Sequence, residues 1–126
     1  MADQPLFLGA DHIGVKTADM EKAIRFYTEV LGFSLLQRIK PGDVELVFVK
    51  LGDTVVELVE AKAGEKYADG LVNHLALKVS DIFAAVELLR QHGTEMLTPE
   101  PMSLGEGRYN FFFRGPSGEK IELFQG

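Results

Sequence analysis

Two histidines and two glutamates recur at matching places in this chain. His12 and His74 lie 62 residues apart, and Glu57 and Glu122 lie 65 apart. Each His opens a short alternating segment, His-Ile-Gly-Val-Lys at 12–16 and His-Leu-Ala-Leu-Lys at 74–78. Each Glu sits in an apolar-Glu-Leu segment, Val56-Glu57-Leu58 and Ile121-Glu122-Leu123. Imidazoles and carboxylates together bind divalent ions of hard to borderline character. A carboxylate at such a site can also take and return a proton. Two His and two Glu carry a net ligand charge of −2, which balances a divalent cation. Singly, each residue has an ordinary explanation: a strand His satisfied by its neighbours, or a Glu at a strand end facing water. Repetition in both halves is what those explanations leave out. Glu57 also shares a strand face with Val55 and Val59, where a charge is costly to bury without compensation. Glu122 shares its face with Lys120 and Phe124.

The elements that must position these four groups are legible from apolar period. Residues 12–16 alternate, with Ile13 and Val15 on one face and His12, Gly14 and Lys16 on the other. Asp19 to Leu31 has helical spacing through Met20, Ala23, Ile24, Tyr27 and Leu31. Acidic residues stand in its first turn and Gly32 is its stop. Strands are expected near 33–39, 44–50 and 54–60, with Pro41-Gly42 and Gly52-Asp53 as turns. The same order then repeats. Residues 73–79 alternate, 81–92 are helical with Gly93 as the stop, and strands follow near 94–98, 108–114 and 119–124. The spacing predicts an α+β fold of two tandem β-α-β-β-β modules in one domain spanning 1–126. Module one covers about 8–60, a polar connector 61–70, and module two about 71–126. If the modules pair about a pseudo-two-fold axis, His12, Glu57, His74 and Glu122 converge on one metal cleft. Pairing within a chain and pairing between chains are both open. The second makes an obligate homodimer with two sites.

Composition narrows the alternatives. The chain has 126 residues and no cysteine, which excludes thiolate metal sites, iron–sulfur clusters and cysteine nucleophiles. A net charge of −6 argues against a nucleic-acid partner. No apolar run reaches the ~20 residues of a membrane helix. Residues 1–10 carry no basic residue before their short apolar patch, so they do not read as a signal peptide. The expected compartment is the cytoplasm and the expected partner a small-molecule substrate.

The chain resembles the vicinal oxygen chelate superfamily, which includes glyoxalase I, methylmalonyl-CoA epimerase, fosfomycin thiol transferases, extradiol dioxygenases and bleomycin-binding proteins. The resemblance runs from Asp11 to Phe124. It rests on Asp11-His12-Ile13-Gly14-Val15, Phe26-Tyr27 through Leu31-Gly32-Phe33, Val56-Glu57-Leu58, His74-Leu75-Ala76-Leu77, and Gly115-Pro116-Ser117-Gly118 leading to Ile121-Glu122-Leu123. It implies curled mixed sheets around a metal cleft, with His12, Glu57, His74 and Glu122 as ligands. The implied cofactor is one divalent ion per site, Ni, Co, Zn, Mn or Fe; the short chain is similar to the nickel- or cobalt-preferring bacterial type. The implied activity is that of a glyoxalase I-like lyase or isomerase, in which a proton leaves carbon through a metal-bound enediolate. Its substrate would be a small 2-oxo compound or hemithioacetal. Glu122 is then the base and Glu57 its symmetry partner. Small members of the superfamily are usually homodimers.

The alternatives are an epimerase of methylmalonyl-CoA type, with Glu45 as a second base, a fosfomycin-type thiol transferase, and a metal-free protein that binds a small drug. Glutathione-using glyoxalases generally carry Arg and Asn where this chain has Lys16 and Ala61. Lys16 can still pair with an anion but lacks the guanidinium fork, and Ala61 has no side-chain donor, which argues against glutathione as the thiol. Lys16 and Arg108 are candidate substrate contacts, and Arg114 a candidate for an anionic tail. The segment 99–108 is a candidate closing loop. Tyr109, Phe111 and Phe113 share a face, as core or as cleft wall. His92 is explained by its helix end.

Overall fold

A computed structural model describes residues 6, 8, 10–63, 65, 68–70 and 72–126. Parts of the expected first module start and of the 61–70 connector fall outside the described residues. Alternating segments pair into two mixed sheets. The first contains β1 (Ile13–Thr17), β2 (Ser34–Ile39), β3 (Leu46–Leu51) and β4 (Thr54–Glu60) in the order β1-β4-β3-β2. β1 runs parallel to β4, and the other pairs are antiparallel. The second contains β5 (Leu75–Lys78), β6 (Glu95–Met96), β7 (Met102–Gly105), β8 (Arg108–Arg114) and β9 (Lys120–Gln125). β5 runs parallel to β9, which pairs antiparallel with β8. The two sheets thus repeat one pattern, an edge strand parallel to the last strand of its own sheet. Among the described residues no helix is long and apolar enough to cross a membrane.

Each edge strand is followed by a helix that covers one face of its sheet. α1 (Met20–Arg25) begins at Asp19, whose carboxylate accepts the Lys22 backbone N–H at 3.1 Å. α2 (Ile82–Gln91) begins at Asp81, which accepts from Phe83 and Ala84. Both aspartates are N-caps, each satisfying backbone donors that the helix itself leaves open. The helix expected over 19–31 changes character midway. Residues Phe26–Val30 form a π-helical turn closed by Leu31 N–H to the Phe26 carbonyl, 3.1 Å. Gly32 at φ +84° then reverses the chain, and Phe33 N–H bonds back to the Tyr27 carbonyl at 2.8 Å.

The covered faces make one continuous core. Val47, Val49, Val56 and Leu58 come from the first sheet, and Leu77, Phe111, Phe113, Ile121 and Leu123 from the second. Ala23, Tyr27, Ile82, Val86 and Leu89 come from the helical segments. Phe111 and Phe113 are therefore core, while Tyr109 packs edge-on against Phe83 with centroids 5.3 Å apart. Among the described residues, no helix packs on the opposite faces, which hold the four candidate residues.

Residues 99–108 are not the open loop expected from sequence. Met102–Gly105 is a strand, β7, paired with β8 through a two-residue turn at Glu106 (φ 56°) and Gly107 (φ 76°). β6 and β7 lie along the same edge of β8, opposite its two ends. Together they fill the place that β2 fills in the first sheet. Pro99 and Pro101, which have no N–H to donate, split the strand. The closing-loop expectation is corrected accordingly: the segment is a hairpin arm bonded into the sheet.

One polar contact joins the halves inside this framework. The wholly buried Tyr27 donates its hydroxyl to Glu119 at 3.0 Å, and the other Glu119 oxygen accepts the Ser117 N–H at 2.9 Å. Burial raises the Glu119 carboxyl above its usual value, against these hydrogen bonds. A Cβ at Gly115 would collide with the Glu119 carboxyl group as placed, so a larger residue there would displace that carboxyl from Tyr27. Tyr27→Phe should destabilise the protein by about 1–3 kcal/mol, the range for removing one partner of a buried hydrogen bond, with urea unfolding as the measurement. A carboxyl raised on folding favours the folded state below its unfolded pKa and less so above it. Wild-type stability relative to Glu119→Gln should therefore decline from about pH 4.5 upward and level off once Glu119 is ionised in both states.

Candidate functional site

The strand register brings each His to its own Glu. Gly14 is the partner of Glu57 in the β1–β4 ladder, and Ala76 is the partner of Glu122 in the β5–β9 ladder. Each His stands two residues before that small residue, hence on the same face as the Glu. His12 Nε2 lies 3.4 Å from Glu57 Oε1, and His74 Nε2 lies 3.1 Å from Glu122 Oε1. The other ring nitrogen is held by the preceding residue in both cases. His12 Nδ1 meets the Asp11 carboxylate at 2.8 Å, and His74 Nδ1 meets the Asn73 side-chain oxygen at 2.7 Å. With Nδ1–H donating to these acceptors, Nε2 is the nitrogen presented to the carboxylate. Asp11, and then the Glu57 charge, raise the His12 imidazole above its ordinary value against desolvation.

The surroundings repeat as well. Phe48 stands opposite Glu57 in the ladder and Phe112 opposite Glu122. Each ring packs edge-on to its imidazole, with centroids 5.8 Å apart at His12 and 5.7 Å at His74. The carboxylates are mostly enclosed, their side chains 17% and 14% exposed for Glu57 and Glu122, while the imidazoles are more open at 36% and 38%. The first carboxylate does not depend on glycine opposite it: a Cβ on Gly14 would lie 3.8 Å from Glu57 Oε1, an ordinary contact.

Within the chain the pairs stay apart. Among the described residues no three His, Cys, Asp or Glu side chains gather as a metal-holding group. The separation within each pair is that of a hydrogen bond or ion pair, and also that of two ligands sharing one cation. A His nitrogen and a carboxylate oxygen at about 2.1 Å from a shared cation and near a right angle stand about 3 Å apart. The observed 3.1 and 3.4 Å are close to that. The donor set, an imidazole whose Nδ1 is held by a neighbouring oxygen and whose Nε2 faces a carboxylate, is of metal-ligand type.

The other sequence candidates are placed as follows. Lys16 shares the His12 face and lines a cavity of about 560 Å3 between β1 and the start of β5, with His74, Arg114 and Lys120 also on its walls. Its ammonium lies 3.2 Å from Glu65. Arg108 lies beside the β7–β8 turn, with contacts to the Gly105 carbonyl and Glu106, and is absent from that cavity. Arg114 is held by Asp69 through two hydrogen bonds of 2.7 and 3.0 Å. Glu45 is gripped by Arg38 at 2.9 and 3.0 Å, which holds its carboxyl below the usual range. That contact leaves it poorly suited to serve as a second base.

The sequence reading missed Asn110. Its side-chain amide donates to Glu122 Oε2 at 3.3 Å. It sits on the parity of the 109–113 run opposite the buried Phe111 and Phe113. Asp11 and Asn73 were also missed as orienting groups, although each directly precedes its His.

Residues 9–123 match the family model of the Glyoxalase/Bleomycin resistance protein/Dioxygenase superfamily. An uncharacterized protein of Bacillus subtilis, YwbC, is 37% identical over 120 residues, covering 91% of this chain and 95% of that one. A probable lactoylglutathione lyase of Synechocystis is 33% identical over 122 residues, covering 90% and 92%. The crystal structure of a glyoxalase family protein from Enterococcus faecalis superposes with a TM-score of 0.76 at 27% identity, covering 95% and 99%.

Ala76 occupies in the second sheet the register that Gly14 occupies in the first. Gly14→Ala should therefore leave the His12–Glu57 pair in place and stabilise β1 by about 0.4–1 kcal/mol through the unfolded chain. Gly14→Leu should displace Glu57. Thermal unfolding and Co2+ binding, measured on both variants, check this.

Proposed function

The chain belongs to the Glyoxalase/Bleomycin resistance protein/Dioxygenase superfamily, and from that premise we propose that it is a divalent-metal lyase or isomerase of glyoxalase I type. Its substrate is a small 2-oxo compound or hemithioacetal, and its chemistry is proton transfer at a carbon next to a carbonyl. The observation that supports the reading is the pair of matching imidazole–carboxylate units on two sheet faces, with no three-membered metal-holding group gathered at either among the described residues. The complete site is then formed when His12 and Glu57 of one protomer face His74 and Glu122 of another, and a homodimer holds two such sites.

A divalent ion held there supplies Lewis acidity toward neighbouring substrate oxygens. The remaining work falls to the chain. Asp11 and Asn73 orient the imidazoles. Phe48 and Phe112 wall the carboxylates and reduce water contact. Glu122, with Glu57 as its counterpart, takes the proton from carbon and returns it. Lys16 faces an anionic part of the substrate. The name of the Synechocystis relative points to a glutathione hemithioacetal. Lys16 and Ala61 favour testing other thiols beside it. Glu45, tied to Arg38, weighs against the epimerase alternative.

Complementation tests this assembly. His12→Ala/Glu57→Ala and His74→Ala/Glu122→Ala chains should each be inactive with methylglyoxal and a thiol panel under Co2+ or Ni2+. Mixed and allowed to exchange subunits, they should regain activity, because each heterodimer contains one intact site. Recovery absent despite shown heterodimer formation would defeat the inter-chain site. Wild-type protein that binds no divalent ion would defeat the metal enzyme reading and leave the small-drug-binding alternative. Glu122→Gln should lower kcat by about 10²–10⁴-fold.

A further inference from the structure

The two halves of the site correspond position by position but differ beside the carboxylate. Gly14, Phe48 and Glu57 correspond to Ala76, Phe112 and Glu122 through the ladders, His12 and His74 each stand two residues before the small residue, and Val59 corresponds to Phe124. The cross-strand partner of Val59 is Leu46, and that of Phe124 is Asn110. The first half thus places an aliphatic side chain where the second places an amide. That amide reaches the carboxylate: Asn110 Nδ2 donates to Glu122 Oε2 at 3.3 Å while Glu122 Oε1 faces His74. Among the described residues, the polar contact of Glu57 is with His12 alone.

We propose that Asn110 is a positioning residue that pins Glu122 through its outer oxygen and so makes the two carboxylates of the site inequivalent. The inference rests on the metal-site reading given above and deepens it. The Asn110 amide holds Glu122 at Oε2 in the orientation that leaves Oε1 beside His74 Nε2. Glu57 has no such amide contact among the described residues and keeps more side-chain freedom. Holding a ligand from outside lowers the entropy lost when it binds, and loss of such a support typically weakens metal binding about 10–100-fold. Met102 lies across the ladder from Asn110 and offers no second donor that would substitute for it.

Co2+ affinity, measured by competition with a chelating dye, provides the test, with the cobalt d–d spectrum as a second readout. Asn110→Leu restores the residue type of the first half, and Asn110→Ala removes the amide without adding bulk. Both should bind Co2+ about 10-fold or more weakly and alter the d–d band, with unfolding temperatures showing that the variants are folded. In a Glu122→Gln background the same changes should add no further weakening. Affinities within twofold of wild type would overturn the proposal. An equal loss in the Glu122→Gln background would also overturn it, since the effect would then not pass through Glu122. Wild-type protein that fails to bind Co2+ would remove the metal site and this inference together. Binding by the wild type with silent Asn110 variants removes this inference alone.

Discussion

The site depends on the register of two short parallel pairings. β1 and β5 are edge strands of five and four residues, and each is docked against the last strand of its own sheet. Gly14 opposite Glu57 and Ala76 opposite Glu122 determine where the preceding His falls. A shift of one residue would turn His12 to the helix side and Ile13 toward Glu57. An equivalent slip in β4 would turn Glu57 into the layer of Val47, Val49 and Leu58, where an unpaired carboxylate is prohibitively costly. The hydrophobic core therefore holds the chemistry in place. Valines and phenylalanines packed under α1 and α2 lock the pleat, and the pleat aims the imidazole and carboxylate to the other face.

Much of this was legible because it is periodic. Alternation gave the parity of His12 with Gly14 and Lys16, and the internal repeat gave the correspondence of the two His–Glu pairs. Other features have no periodic signature. The π-helical turn at Phe26–Val30 differs from α-helix by its hydrogen-bond step, which apolar spacing over one turn does not resolve. β7 was hidden by Pro99 and Pro101, which read as loop although the chain resumes pairing just after them. Asn110 was hidden by its neighbours, because the aromatic run drew the reading to Tyr109, Phe111 and Phe113, the face that packs inward. The ion pair of Arg114 with Asp69 spans 45 residues, and that of Glu45 with Arg38 spans seven across the β2–β3 turn; apolar period reports neither, and only the folded geometry shows that these charges are engaged.

The organisation of the chain as two half-sites bears on the energetics of the proposed metal centre. One imidazole and one carboxylate form a two-point grip that leaves most of an ion's coordination to water. Four groups brought together by protein pairing bind with the advantage of high effective concentration. The uncovered faces also carry apolar area, Phe48 and Val55 in one sheet and Phe112, Phe124 and Met102 in the other. Bringing two such faces together removes that area from water and adds to the attraction between each cation and the enclosed carboxylates. On the proposed reading, ion binding and subunit pairing are linked, and each strengthens the other.

A duplicated module supplies ligands in equal pairs, but a proton-transfer reaction on one carbon has no matching symmetry. The departures from the repeat are therefore as informative as the repeat. Asp11 stands behind one imidazole and Asn73 behind the other, so one ring is backed by a charge and the other by a neutral amide. Leu46 stands beside one carboxylate and Asn110 beside the other. The groups that would grip an ion are duplicated, and the groups that touch those ligands from behind differ. On the proposed reading, such a division would let one architecture hold a metal with near two-fold regularity while its two carboxylates respond differently to a substrate.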